Sequence, residues 1–431
     1  MKKICLFIAV LALLFAACGK HDHLEDEIKD RPDAPNSSTI SSSSAPSSSS
    51  SYDVEVSSSS SLGSSSSENK PCELDFESNE SITINTICIY EKTILVPSER
   101  DKLNELNIGS QAKIEFANGA SLNMNNYNTL NIAEGAELKF GKNSALQIGN
   151  GTTLNISGSE ENPVVLKAAG NDKWAGIKID YRGSEPINII YAEVSGADVG
   201  IDFGKTGVLE NCNIYNNGYG IILNSDFAEG KFSGNNFSSN EYDVWGNLVY
   251  MHSLGSSEQF TGKMHIKGNQ GLSAKITLPA FTYFIDEGII TISNELKIEP
   301  GASFKLTDNS MFIARNNGSI IAIGEINKPI TFESADDNTF WGGTFEDWNL
   351  STNYAAFLFQ DGTGKFQHFN VSRAKKAFVN DGSGSVTLSD GQITDFLYND
   401  YLTNGSQQSG GICELKSGIS CPDVETNQYK E

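Results

Sequence analysis

The sequence predicts an all-β chain wound as a three-sided parallel solenoid, and three observations predict it. An apolar-x-apolar pair recurs every eight residues from Leu106 to Ile156. Further on, apolar residues recur at spacings of 20 to 24. Finally, two long segments repeat each other at an offset of 166 residues.

The octad is strict. Leu106, Ile114, Leu122, Leu130, Leu138, Leu146 and Leu154 stand eight apart, each followed two residues later by Ile108, Phe116, Met124, Ile132, Phe140, Ile148 or Ile156. Two apolar residues flanking a polar one is strand alternation, too short for a helix. Gly109, Gly141 and Gly149 at one octad position, and Gly119, Gly135 and Gly151 at another, supply corners. So short a strand must pair with copies of itself, and strand-corner units close most simply into stacked coils. Three octads make a 24-residue coil. This register stacks Leu106, Leu130 and Leu154 inside one face and Asn107, Asn131 and Asn155 outside it, as an amide ladder. On a second face it sets Glu115 beside Lys139, a cross-strand pair of about 0.2–1 kcal/mol. A two-sided 16-residue coil also accommodates the octad but fits the later spacings less well.

Those later spacings pair Val194 with Ile214, Ile201 with Ile221 and Phe203 with Leu223, 20 apart, then Ile214 with Phe237 and Ile221 with Val244, 23 apart. IAEGAELKF (132–140) matches IEPGASFKL (298–306), and NPVVLKAAGNDKWAG matches KPITFESADDNTFWGG with one inserted residue. AEVSGA matches FNVSRA at an offset of 177. The organisation expected is a leader (1–17), an acidic then Ser-rich disordered tether (18–69), an N-terminal cap (70–105), two related solenoid halves (105–250 and 275–404) joined by a connecting coil or loop (251–274), and a C-terminal tail (405–431).

The leader places Lys2 and Lys3 before the apolar run Ile4–Ala17, too short to span a bilayer. Its end, Phe15-Ala16-Ala17-Cys18, resembles a bacterial lipobox, although Leu is commoner at the place of Phe15. That resemblance implies acylation of Cys18 and an outer-membrane lipoprotein exposed at the cell surface, anchored by its lipid. In Ser37–Glu68, 20 of 32 residues are serine. Such chain cannot bury enough apolar area to offset its ordering entropy, and the roughly 50 residues between Cys18 and Pro71 reach about 40 Å. The 431-residue chain carries a net charge of −23, which becomes −25 without Lys2 and Lys3. That charge opposes nucleic acid and anionic membrane surfaces.

In an oxidising compartment Cys72 with Cys88 and Cys413 with Cys421 are candidate disulfides at the two ends of the folded region. Cys212 is left over and is read as a small residue packed against a neighbouring coil.

The coil pattern with ENPVVLKAAGNDKWAGI and NKPITFESADDNTFWGG resembles the right-handed parallel β-helix proteins of the pectate-lyase-like superfamily, in particular bacterial surface lipoproteins. That fold hosts lyases, hydrolases, adhesins and tailspikes, so it does not define an activity. A lyase of this kind implies carboxylates around Ca²⁺ and an Arg or Lys at strand spacing. The nearest match is Asp336-Asp337-Asn338, candidates for a metal, with Asp172 at the equivalent place in the first copy. Arg182, Arg315, Arg373, Lys375 and Lys376 are scattered and read as solvated surface. A hydrolase needs paired carboxylates, and adjacent ones on a strand point to opposite faces. No catalytic residue is assigned. A loop such as NDGSGS (380–385) is a candidate for structural Ca²⁺, and no other cofactor is expected. Trp348, Tyr181, Tyr215 and Tyr219 are candidate sugar-stacking residues, whereas Trp174 and Trp341, at equivalent motif positions, read as packing. The expected role is non-enzymatic adhesion to polysaccharide or another cell-surface partner. The alternatives are a polysaccharide lyase or glycoside hydrolase on the same scaffold, and a structural envelope component.

Overall fold

The structure, a computed structural model, describes residues 81–96, 105–124, 127–180, 184–225, 231–254, 259–260, 264–346, 352–380, 384–397, 402–403, 419–420 and 424–428. All fall within the compact unit Ser47–Glu431. The leader, the tether and Cys18 lie outside the described residues, as do Cys72, Cys413, Cys421, Tyr181 and Trp348.

Each octad is one strand and one corner. Glu105–Ile108, Lys113–Phe116 and Leu122–Met124 form three sides of a coil. Thr129–Ala133 then returns to pair in parallel with Glu105–Ile108. The register is the one the spacing predicts: Leu106, Leu130 and Leu154 align, as do Asn107, Asn131 and Asn155, and Glu115 stands opposite Lys139. The lengthened coils hold as well, with Val194 against Ile214, Ile214 against Phe237 and Ile221 against Val244. The fold is an all-β right-handed parallel solenoid of three faces.

Seven strands make the first face, from Ile82–Ile84 to Phe232–Ser233, and eight the second, from Ile87–Tyr90 to Gln259–Phe260. Fourteen strands make the third, from Ile94–Val96 to Val424–Gln428. The core fills the prism with stacked like residues. One column runs Tyr90, Phe116, Phe140, Trp174, with centroid separations of 5.5, 4.9 and 4.3 Å and nearly parallel rings. Corners need a left-handed residue. Gly119, Gly135 and Gly151 supply it at φ 77, 75 and 72°, and Asn143, Asn211 and Asn216 do so elsewhere at φ 60, 56 and 57°. Inside the later corners, buried amides satisfy the backbone. Asn217 Oδ1 accepts from the Ala197 N–H at 2.9 Å, and its Nδ2 donates to the Val194 carbonyl at 3.1 Å.

The solenoid reaches further than the octad. Ile82–Val96 already form a complete coil, each strand pairing with the next coil, so the expected cap over 70–105 includes the first turn. Beyond 404, Ile419–Ser420 and Val424–Gln428 extend two sheets. Around 251–274 the chain continues as a coil, with a difference. The 3-10 helix Leu248–Ser253 takes the place of a first-face strand, burying Leu248 and Met251. The first two sheets end there, and two six-stranded sheets begin at Gln270–Leu272 and Ile276–Leu278. The third sheet alone passes through, by way of Tyr242–Gly246, Met264–Ile266 and Thr282–Ile285.

The internal repeat is turned relative to the prism. Val164–Ala168 of the first copy lies in the second-face sheet, whereas its counterpart Ile330–Ser334 lies in the third sheet. Twenty-two successive faces separate the two, counting the 3-10 helix as one, which is one face more than seven full turns. The second copy also carries an antiparallel hairpin, Gly343–Glu346 with Thr352–Ala355. Ala355 joins the outward apolar residues Met311, Ile313, Leu358 and Val379 in a small second core.

Candidate functional site

The two copies of the Trp motif build the same corner. Trp174 and Trp341 are fully buried. The Trp174 indole donates to the Ser195 carbonyl at 2.9 Å, and that of Trp341 to the Ser372 carbonyl at 3.0 Å. Parallel bridges tie Trp174 to Ala197 and Trp341 to Ala374, the alanines of AEVSGA and FNVSRA. Gly176 and Gly342 follow at φ 91 and 125°, and a Cβ on Gly176 would fall 1.6 Å from the Val199 carbonyl oxygen. Both tryptophans therefore pack corners, as their recurrence implies.

The remaining candidates do not converge. Tyr215 lies outward on the second face, in register with Ser195 and Ser238. Tyr219 lies past the corner, at the start of the third face, where its ring stacks on Tyr242 at 5.3 Å and Tyr242 stacks on His265 at 4.6 Å. Both faces of Tyr242 and one of Tyr219 are thereby covered. Burial first, then Tyr242, Glu241 and Asp286, holds the Tyr219 hydroxyl above the usual phenol range. The stack ends in a polar contact, His265 Nε2 to Asp286 Oδ1 at 2.6 Å. Sequence reasoning missed this cluster because the coil shortens there. Tyr219 pairs with Tyr242, 23 residues on, but Trp245 pairs with His265 only 20 residues on, and that change of spacing was the available signal.

Asp336 and Asp337 occupy a turn ahead of Trp341. The Asp336 carboxylate accepts from the Asn338 backbone N–H at 2.8 Å and from its amide at 3.2 Å, which ties it to its own turn. Among the described residues no three His, Cys, Asp or Glu side chains gather as a metal site. Residue 380 of the NDGSGS loop is buried, its Nδ2 donating to the Gly384 carbonyl at 2.9 Å.

A buried cation was also missed. Lys205, 6% exposed, donates to the Thr152 carbonyl at 3.4 Å and lies 3.9 Å from Glu185. Desolvation lowers its pKa, opposed by Glu185 and Asp180. It lies in the corner between the strands Val199–Phe203 and Val208–Glu210. Cys212 is a free buried thiol, hydrogen-bonded to the Glu210 carbonyl at 3.3 Å, and burial pushes it up to about 12. Cys88 is disulfide-bonded, its partner lying outside the described residues.

The outer faces differ in chemistry. Between Ile87 and Ser195 the second-face strands carry Lys113, Glu115, Glu137, Lys139, Lys167 and Glu193. Glu137 lies 2.7 Å from Lys167 and 3.8 Å from Lys139, and its hydrogen bond to Lys167 lowers its pKa. The first face carries the amide ladder. Asn131 Nδ2 donates to Asn107 Oδ1 at 2.8 Å, Asn155 to Asn131 at 2.8 Å, and Asn188 to Asn155 at 2.9 Å.

These features define an all-β right-handed parallel solenoid with ladder-bearing outer faces. No family profile matches the chain, and no curated protein or solved structure matches it.

Proposed function

We propose that the protein is a cell-surface lipoprotein of the pectate-lyase-like kind, acylated at Cys18, whose solenoid binds polysaccharide or another repeating cell-surface partner without cleaving it. The observation that carries this reading is the continuous third sheet. Its fourteen strands, at about 4.8 Å per coil, give a rigid rod about 60 Å long whose outward side chains recur at a constant rung. An extended polymer lying along such a rod meets an outward side chain at every rung, and a scaffold locked by its core loses little entropy on binding. The test is retention of the full chain on insoluble polysaccharides, with released unsaturated and reducing sugars assayed with and without Ca²⁺. Retention without release is expected. Sugar release would replace this reading with a lyase or hydrolase, and failure to bind any glycan or cell surface would leave the envelope-structural role. Acyl labelling of the wild-type chain, absent from Cys18→Ser, tests the anchor.

A further inference from the structure

We infer that the outward first face between residues 83 and 190 is the binding row, and that its ligand is a neutral, hydroxyl-rich extended glycan; this rests on the polysaccharide reading above. The strands of this face, ITI, ELNI, TLNIA, TLNIS and INII, contain one charged residue, Glu105, at the N-terminal end. The adjoining second-face strands over the same coils contain six. In a chain of net charge −23, a face kept nearly free of charge across five coils favours a neutral ligand and repels a polyanion. It lacks the aromatic anchors on which protein partners depend, and it lacks the cations that nucleic acid requires.

Hydrogen-bonding capacity points the same way. An Asn side chain has two donors and two acceptor lone pairs. Asn107 donates once, to Ser81 Oγ at 2.6 Å, and accepts once, from Asn131. Asn155 donates once, to Asn131, and accepts once, from Asn188. Each therefore keeps one donor and one acceptor unused, on a half-exposed side chain. Asn131 donates twice, to Asn107 and to Glu105 at 2.7 Å, and keeps one acceptor. Beside this row, Thr129 and Thr153 align in register and add hydroxyls. The ladder fixes every amide rotamer in advance, so the row presents donor-acceptor pairs one coil apart at little ordering cost.

The test is affinity electrophoresis of the full chain in gels containing a β-1,4-glucan, a β-1,4-mannan or a β-1,4-xylan, all neutral, and in gels containing polygalacturonate. Retardation by a neutral glycan is expected, weakened at least tenfold in Asn155→Ala and in Thr129→Ala/Thr153→Ala, and unchanged in Lys139→Ala/Lys167→Ala. The threonine variant leaves the ladder intact, so it carries the test if Asn155→Ala unfolds. Retardation by polygalacturonate alone, or retardation lost only in the second-face variant, overturns the first-face assignment while polysaccharide binding stands. No retardation in any gel overturns both.

Discussion

At the scale of single residues, the two corners rest on buried tryptophans whose indole N–H groups are satisfied. Trp174 fills its corner, stacks on Phe140 at 4.3 Å and donates to Ser195. Trp174→Ala or Trp341→Ala should each lose about 3–5 kcal/mol, the usual cost of truncating a buried aromatic, read from denaturant midpoints. Trp→Phe should cost less, since the ring volume largely survives. Cys212 gives a pH prediction with a definite sign. Its folded thiol is pushed up to about 12, against about 8.5 in the unfolded chain. Stability is therefore complete below about pH 8.5 and falls as pH rises toward 12, because the unfolded state alone loses the proton. The decline between pH 8 and 10.5 should be shallower in Cys212→Ala, and a thiol reagent should label Cys212 only after denaturation. The role of Trp174 and Trp341 was legible because they recur with their surroundings. The burial of Lys205 was not, since nothing local distinguishes a buried lysine at a corner from one on a surface.

At the scale of elements, the strands and their register were readable wherever the period stayed constant. Eight residues per side put Asn107, Asn131 and Asn155 in one column, and the structure joins them by amide hydrogen bonds. Asn131→Ala removes the centre of that ladder and should cost about 1–2 kcal/mol, since each hydrogen bond contributes roughly 0.5–1.5 kcal/mol net. Asn131→Asp should cost more, because its carboxylate faces Glu105 and the Asn107 carbonyl oxygen, both acceptors. Thermal melts of both variants at low and high salt check the order, and salt should narrow the gap between them. The hairpin Gly343–Ala355 was not foreseen. The outward apolar column that Ala355 helps close looks in sequence like ordinary strand alternation.

Over the whole molecule, the sequence established a solenoid with two related parts but not how they join. The join depends on which sheets pass through, and residue spacing reports the length of a coil without saying whether a strand or a 3-10 helix forms its side. Only the third sheet crosses the junction at Leu248–Ser253 among the described residues. Nearest-neighbour interfaces set solenoid stability, so the weakest interface should lie there. Unfolding in urea is expected in two steps, and hydrogen exchange should be faster at Gln259–Phe260 than at Met264–Ile266, which is paired on both sides. A single transition with equal protection would contradict this. The turned repeat has a further consequence. Its two copies are related by a screw motion of about a third of a turn and about 35 Å along the axis, at 4.8 Å per coil. Whatever surface the duplication copied now looks out from two adjacent sides of the rod. A straight polymer lying along one side meets one copy, and a second polymer, parallel to the first on the adjacent side, meets the other.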